Sequence, residues 1–105
     1  MTINEFQKEA LRTVKDDSKN TILIEGLMGM SSESGEALDI LKKFLFQGHE
    51  LDKEHLKEEL GDVAWYLAVS AYAIGCDLED ILVKNIEKLH GRYPEGFDAD
   101  RSVNR

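Results

Sequence analysis

Apolar positions along this chain recur with the 3.6-residue period of amphipathic helices. Around residue 35, Met30, Ala37, Ile40, Leu41 and Phe44 share one face. Around residue 65 the face holds Leu56, Leu60, Val63, Leu67, Ala71 and Ile74. Further on it holds Leu78, Ile81, Leu82, Ile86 and Leu89. Caps and breakers divide the pattern into four helices. Thr2 and Glu5 spell a capping box that opens the first, about residues 3 to 16. The polar stretch Asp16-Asp17-Ser18-Lys19-Asn20 separates it from the second, about residues 20 to 46, which stops at Gly48. Gly26, Gly29 and Gly35 in that helix predict a kink or a close helix contact. Asp52 caps the third helix, about residues 53 to 74, and Gly75 ends it. Asp77 caps the fourth, about residues 78 to 91, which Gly91 and Pro94 close. The expected architecture is all-α: one four-helix bundle over residues 1–105, with an irregular tail from about residue 93.

The second half of the third helix is apolar on every side, through Val63, Ala64, Trp65, Tyr66, Leu67, Ala68 and Val69. A helix that is apolar all round is buried all round. The side carrying Trp65, Val69 and Tyr72, opposite Leu60 and Leu67, is therefore expected to meet another subunit, the alternative being a deeper core of one chain with the first helix and the tail packed over that side.

Two acid pairs break the apolar stripes. Glu33 and Glu36 stand on the second helix, and Glu59 and Asp62 on the third. Each pair has i, i+3 spacing, so its carboxylates project from neighbouring points of one face. Glu33 and Glu59 fall inside their stripes, while Glu36 and Asp62 sit at the edges, Asp62 offset by roughly 60°. Two matched intrusions predict helices that face each other across a four-carboxylate cluster. Carboxylates so placed need neutralising, and a divalent cation is the simplest means.

Composition narrows the choice. Twenty-one acidic against thirteen basic residues give a net charge of −8. That disfavours a nucleic-acid polymer or an anionic membrane as partner, and any phosphate ligand unless metal ions recruit it. No segment reaches membrane-span length, and the start has neither a basic region nor an apolar run, so a cytoplasmic protein is expected. The one cysteine, Cys76, fits a reducing compartment and reads as a bystander.

Oxygen-only ligation suits Mg²⁺ or Mn²⁺. Zinc lacks a His/Cys set, and a di-iron bundle wants paired Glu-x-x-His, which occurs once, at Glu87–His90. The fourth helix carries Asn85 within its apolar face, with Lys88 and Arg92 at the rim, a grip for anionic oxygens. Lys42 and Lys43 lie beyond Glu36 and can serve the same end. Metal carboxylates beside cationic side chains are the parts for phosphoryl chemistry. No Walker-type lysine loop is present.

These residues resemble the MazG-like, all-α nucleoside triphosphate pyrophosphohydrolases, whose signature is Glu-Glu-x-x-Glu, a spacer, then Glu-x-x-Asp. Glu33, Glu36, Glu59 and Asp62 match it, and Ser32 stands where the first acid would be. Phe46-Gln47-Gly48-His49, Asn85-Ile86-Glu87-Lys88 and Arg92-Tyr93-Pro94 resemble a compact branch of the family, and the likeness covers about residues 22 to 105. The resemblance implies Mg²⁺-dependent hydrolysis of a nucleoside or deoxynucleoside triphosphate to the monophosphate and pyrophosphate. It implies a homodimer or a dimer of dimers. By position, Glu33, Glu36, Glu59 and Asp62 are the expected metal ligands and catalytic acids, and Lys42, Asn85, Lys88 and Arg92 the expected substrate contacts. Ser32 leaves a second expectation open: a catalytically impaired nucleotide-binding or interaction module on the same bundle.

Overall fold

The amino-terminal capping box forms in full. Thr2 Oγ1 accepts the Glu5 N–H, and the Glu5 carboxylate accepts the Thr2 N–H, both at 3.1 Å. It opens α1, Ile3–Leu11. The computed structural model describes residues 1–15 and 18–104. Helix α1 ends earlier than residue 16, because its last turn tightens. The N–H groups of Arg12, Thr13 and Val14 reach back three residues, to Glu9, Ala10 and Leu11. The Ala10 carbonyl is also claimed by Thr13 Oγ1 at 2.8 Å and by Trp65 Nε1 at 3.2 Å. The expected helical residue Asp16, and with it Asp17 of the polar break, lies outside the described residues.

Ser18 caps α2, Lys19–Phe46, and Asp52 caps α3, Lys53–Ala73, through the His55 N–H at 3.0 Å. Gly48, at φ +73°, supplies the left-handed turn between them. The two helices run antiparallel, with Gly26 against Ser70 and Gly29 against Tyr66. A Cβ at Gly29 would stand 2.1 Å from the Tyr66 ring, and one at Gly26 would stand 2.2 Å from Ser70 Oγ. Both glycines therefore serve close helix contact, as their spacing predicts. Gly35 does not, since nothing lies within 4 Å of it.

Helix α4, Leu78–Arg92, begins differently from expectation. Asp77 occupies the cap position but makes no side-chain cap bond. The caps come from α1: Gln7 Oε1 accepts the Leu78 N–H at 2.9 Å, and Asn4 Oδ1 accepts the Glu79 N–H at 3.4 Å. Gln7 is buried, and its Nε2 donates to the Ala68 and Cys76 carbonyls, each at 3.1 Å. The tail is not wholly irregular. Asp98 accepts the N–H groups of Asp100 and Arg101 and starts a short α5, Ala99–Val103. No strand occurs among the described residues.

The core gathers where α1, α3 and α4 meet, around Ala10, Ala68 and Leu78, with Phe6, Trp65, Leu67 and Leu82 packed on it. This overturns one expectation. Trp65 and Val69 do not wait for another subunit: Ala10 of α1 and Thr13 just beyond it hold the Trp65 indole by two hydrogen bonds, and Val69 is 2% exposed. Tyr72 is exposed and lies beneath the Lys19 ammonium, 5.1 Å from its ring centroid. Periodicity requires that an apolar face be covered, and here this chain's own α1 does most of it.

Other apolar surface stays open. Leu27, Leu38, Leu41 and Leu45 on α2, Leu60 on α3, and Val83 and Ile86 on α4 are all exposed. The radius of gyration is 16.7 Å, whereas about 13 Å is typical of a compact domain of this length. The long α2 and an α4 anchored chiefly at its first turn spread the molecule to 43 × 42 × 26 Å.

Candidate metal centre between two helices

The antiparallel register that seats Tyr66 on Gly29 carries one turn further along α2, to Glu33. There it brings Glu33 opposite Glu59 and Asp62. One carboxylate oxygen from each of these three acids lies within 4.8 Å of the others. Glu59 is buried, Glu33 half-buried and Asp62 exposed, so the group opens to solvent on the Asp62 side.

Glu59 anchors the group. Its Oε1 contacts His55 Nε2 at 3.1 Å, one turn earlier on α3. Its Oε2 is buried with no hydrogen-bond partner. A buried, unpartnered carboxylate oxygen costs free energy unless something neutralises it. Glu33 answers the same crowding. Its carboxyl is pushed above the usual glutamate range, first because a protonated Glu33 can hydrogen-bond Glu59, then by partial burial, then by the charges of Glu59 and Asp62. An all-oxygen donor set, an orphaned buried oxygen and a strained carboxyl together fit a hard divalent cation.

Glu36 does not join this group. It stands one turn further along α2, exposed, in an adjoining hollow of about 350 Å³ with Asp39, Lys43, His49, Asp52 and His55. The expected four-acid cluster is thus three acids with a fourth beside it. The i, i+3 step turns Glu36 away from α3 by roughly 60°.

The expected substrate contacts are dispersed. Lys42 and Lys43 both grip Asp39, each at 3.0 Å. The Lys42 ammonium, then that of Lys43, holds the Asp39 carboxyl below its usual range. Asn85 and Lys88 are exposed on α4. Arg92, half-buried, lines a separate hollow with Asp100, Arg101 and Asn104. Ser32 is exposed.

Sequence reasoning passed over His55, since the three histidines have no ligand spacing among themselves. The signal was its i, i+4 relation to Glu59, which places imidazole and carboxylate on one face. Trp65 was read as part of a subunit contact and Tyr66 as apolar bulk. They line, with Glu33 and Asp62, the hollow at the mouth of the acid group. No helix among the described residues is long and apolar enough to cross a membrane.

The family model described as MazG nucleotide pyrophosphohydrolase domain matches residues 18–97. Gene 37 protein of Mycobacterium phage L5 is 33% identical over 90 residues, covering 78% of this chain and 79% of that protein. No solved structure matches the chain.

Proposed function

The chain belongs to the MazG nucleotide pyrophosphohydrolase domain family, and from that premise we propose that it hydrolyses a nucleoside or deoxynucleoside triphosphate to the monophosphate and pyrophosphate, with Mg²⁺ held by Glu33, Glu59 and Asp62. The observation that carries the reading is the convergence of those three carboxylates, one of them, Glu59, with a buried oxygen that has no hydrogen-bond partner. Mn²⁺ suits the same oxygen donors. A bound ion of this kind neutralises phosphate oxygens and lowers the pKa of water.

The chain's own residues do the rest. Glu59, clamped by His55, fixes one side of the group, and Asp62 completes it at the solvent edge. In the reaction a water oxygen bonds to phosphorus, the anhydride bond between the α and β phosphates breaks, and pyrophosphate leaves. Glu36, outside the convergence and exposed, is the acid we assign to take the proton of that water. Lys42 stays where leaving phosphate oxygens can draw it from Asp39. Asn85, Lys88 and Arg92 remain the proposed substrate contacts.

Those last three residues give assembly a part in the reading. They stand on an α4 whose outer apolar positions are uncovered, and α2 exposes a leucine stripe. A homodimer or a dimer of dimers buries both and supplies α4 cations to acid groups.

The test is pyrophosphate release from the common nucleoside and deoxynucleoside triphosphates with Mg²⁺, with Mn²⁺ and with chelator. Metal-dependent release of pyrophosphate and monophosphate, abolished in Glu59→Gln and Asp62→Asn variants of intact helicity, supports the reading. Nucleotide binding without turnover on any substrate overturns it in favour of the impaired module that Ser32 allows.

A further inference from the structure

Helix α2 has two apolar faces: one meets α3 and the other stays open. Gly26, Gly29 and Glu33 face α3. Roughly 140° round the helix lies a second row, Ile24, Leu27, Ser31, Ser34, Leu38 and Leu41. Its four aliphatic members are 41–64% exposed, and both serines are exposed. The spacing is 3-4-3-4-3, the heptad seam of a helix pair. The row reads the same from either end: two aliphatics, two serines, two aliphatics. Its midpoint, between residues 32 and 33, is also the midpoint of α2, Lys19–Phe46. We infer that α2 pairs antiparallel with α2 of a second copy, about a two-fold axis through that midpoint. Ser31 then meets the partner's Ser34, Leu27 the partner's Leu38, and Ile24 the partner's Leu41. This deepens the homodimer of the reading above by assigning its contact, and it needs neither metal nor nucleotide.

Symmetry supports the pairing first. A two-fold contact requires a surface that is its own complement. An apolar face kept for a different partner has no reason to be palindromic or to be centred on its helix. Centring also lets all 28 residues of α2 overlap, end against end. At 1.5 Å per residue and a stripe about 100° wide, the two chains bury on the order of 1,000 Å². That is about what a specific interface must clear. Charge points the same way. None of the six positions is charged, on a chain of net charge −8, so two copies meet here without setting like charges face to face. The centre of the row is prepared for burial as well. Ser34 Oγ donates to the Met30 carbonyl of its own helix at 2.8 Å, so it enters a dry seam already satisfied. Small side chains at the crossing let two helices approach closely. Glu33 lies within one residue of the axis level, so the pairing sets the two acid groups level with each other on opposite flanks.

The test is disulfide trapping in a Cys76→Ser background, where an introduced thiol stands alone. Leu27→Cys and Leu38→Cys chains are oxidised separately and as an equilibrated mixture, without metal or nucleotide. Antiparallel pairing sets position 27 against the partner's position 38. It separates like positions by roughly 16 Å along the helix, beyond the roughly 7 Å that a disulfide spans. A covalent dimer is therefore expected from the mixture, with peptide mapping placing the bridge between positions 27 and 38, and little from either chain alone. Leu38→Lys alters a side chain that the chain's own fold leaves exposed, so helicity should be kept. Its self-association, read by sedimentation, should weaken at least about a hundredfold, the loss of two buried leucines. Bridging within either single variant overturns the antiparallel pairing. A mixture that forms no bridge overturns the seam, as does a Leu38→Lys chain that associates like the wild type. Each of these failures leaves the hydrolysis proposal standing, since pyrophosphate release decides that separately.

Discussion

Replacing Glu59 by glutamine should stabilise the chain without magnesium and lose most or all of that advantage with it. Glu59 is 6% exposed, and its Oε2 has no partner. A buried unsatisfied polar atom costs about 1–3 kcal/mol. Glutamine keeps the shape, loses the charge, and can donate its amide N–H to Glu33 or Asp62. In chelator, Glu59→Gln should therefore be more stable than wild type by about 1–3 kcal/mol. A domain of this size shifts by roughly 4–8 °C per kcal/mol, so its melting temperature rises by roughly 5–20 °C. With Mg²⁺ at a hundred times its dissociation constant, the wild type gains about 2.7 kcal/mol. The variant, lacking the anchoring carboxylate, gains little. The order of the two melting curves then narrows or inverts. The assay is thermal unfolding by circular dichroism at fixed chain concentration, in chelator and in Mg²⁺, with NaCl matched in ionic strength to separate screening from binding. Two results refute the reasoning: a variant less stable than wild type in chelator, or one that responds to Mg²⁺ as the wild type does.

Four further outcomes follow from the same geometry. His55→Ala should weaken Mn²⁺ binding, read by calorimetry, about 10- to 100-fold, the usual loss when a residue orienting a ligand is removed, and His55→Gln should recover part of it. Glu33 has a raised pKa, so its protonated form favours the metal-free fold: that stability is present at low pH and is lost as pH rises through the raised value. Cation affinity should accordingly fall as pH drops through that window, and binding should release protons, measurable by calorimetry in buffers of different ionisation heat. Gly29→Ala should cost about 1–3 kcal/mol in urea unfolding because its Cβ meets the Tyr66 ring, whereas Gly35→Ala, in open space within the same helix, should gain up to about 1 kcal/mol.

What the sequence made legible was whatever depends on near neighbours. The Thr2–Glu5 capping box, the Asp52 cap and the breaks at Gly48 and Gly75 are local chemistry, and the helices formed within a few residues of where that chemistry places them. The acid pairs were legible because carboxylates inside an apolar stripe conflict with burial, and Glu33, Glu59 and Asp62 do converge. Glu36 fell outside because i, i+3 spacing fixes a face to within a turn, while the register of the opposing helix decides which member meets it. The covering of Trp65 and Val69 was misassigned for a related reason. Periodicity shows that a face is buried but does not name the helix that buries it. Gln7 was invisible as a cap for α4, since its partners lie 61 to 71 residues away and nothing in its local sequence marks it. The short α5 was missed because one Asp98 cap on five residues leaves too little periodicity to detect.

Gln7 also bears on how an α4 whose outer face stays open can recognise anything. One amide ties together the end of α3, the Cys76 turn and the first turn of α4, and it is itself buried. The launch direction of α4 is therefore set from inside the core, before any other chain is met. In the proposed homodimer, an arm aimed in this way would surrender little orientational freedom on docking, so even a modest apolar contact along Val83 and Ile86 would suffice to hold it. A change at Gln7, outside the acid group, would deprive the Leu78 N–H and two carbonyls of this partner and loosen the bearing of α4.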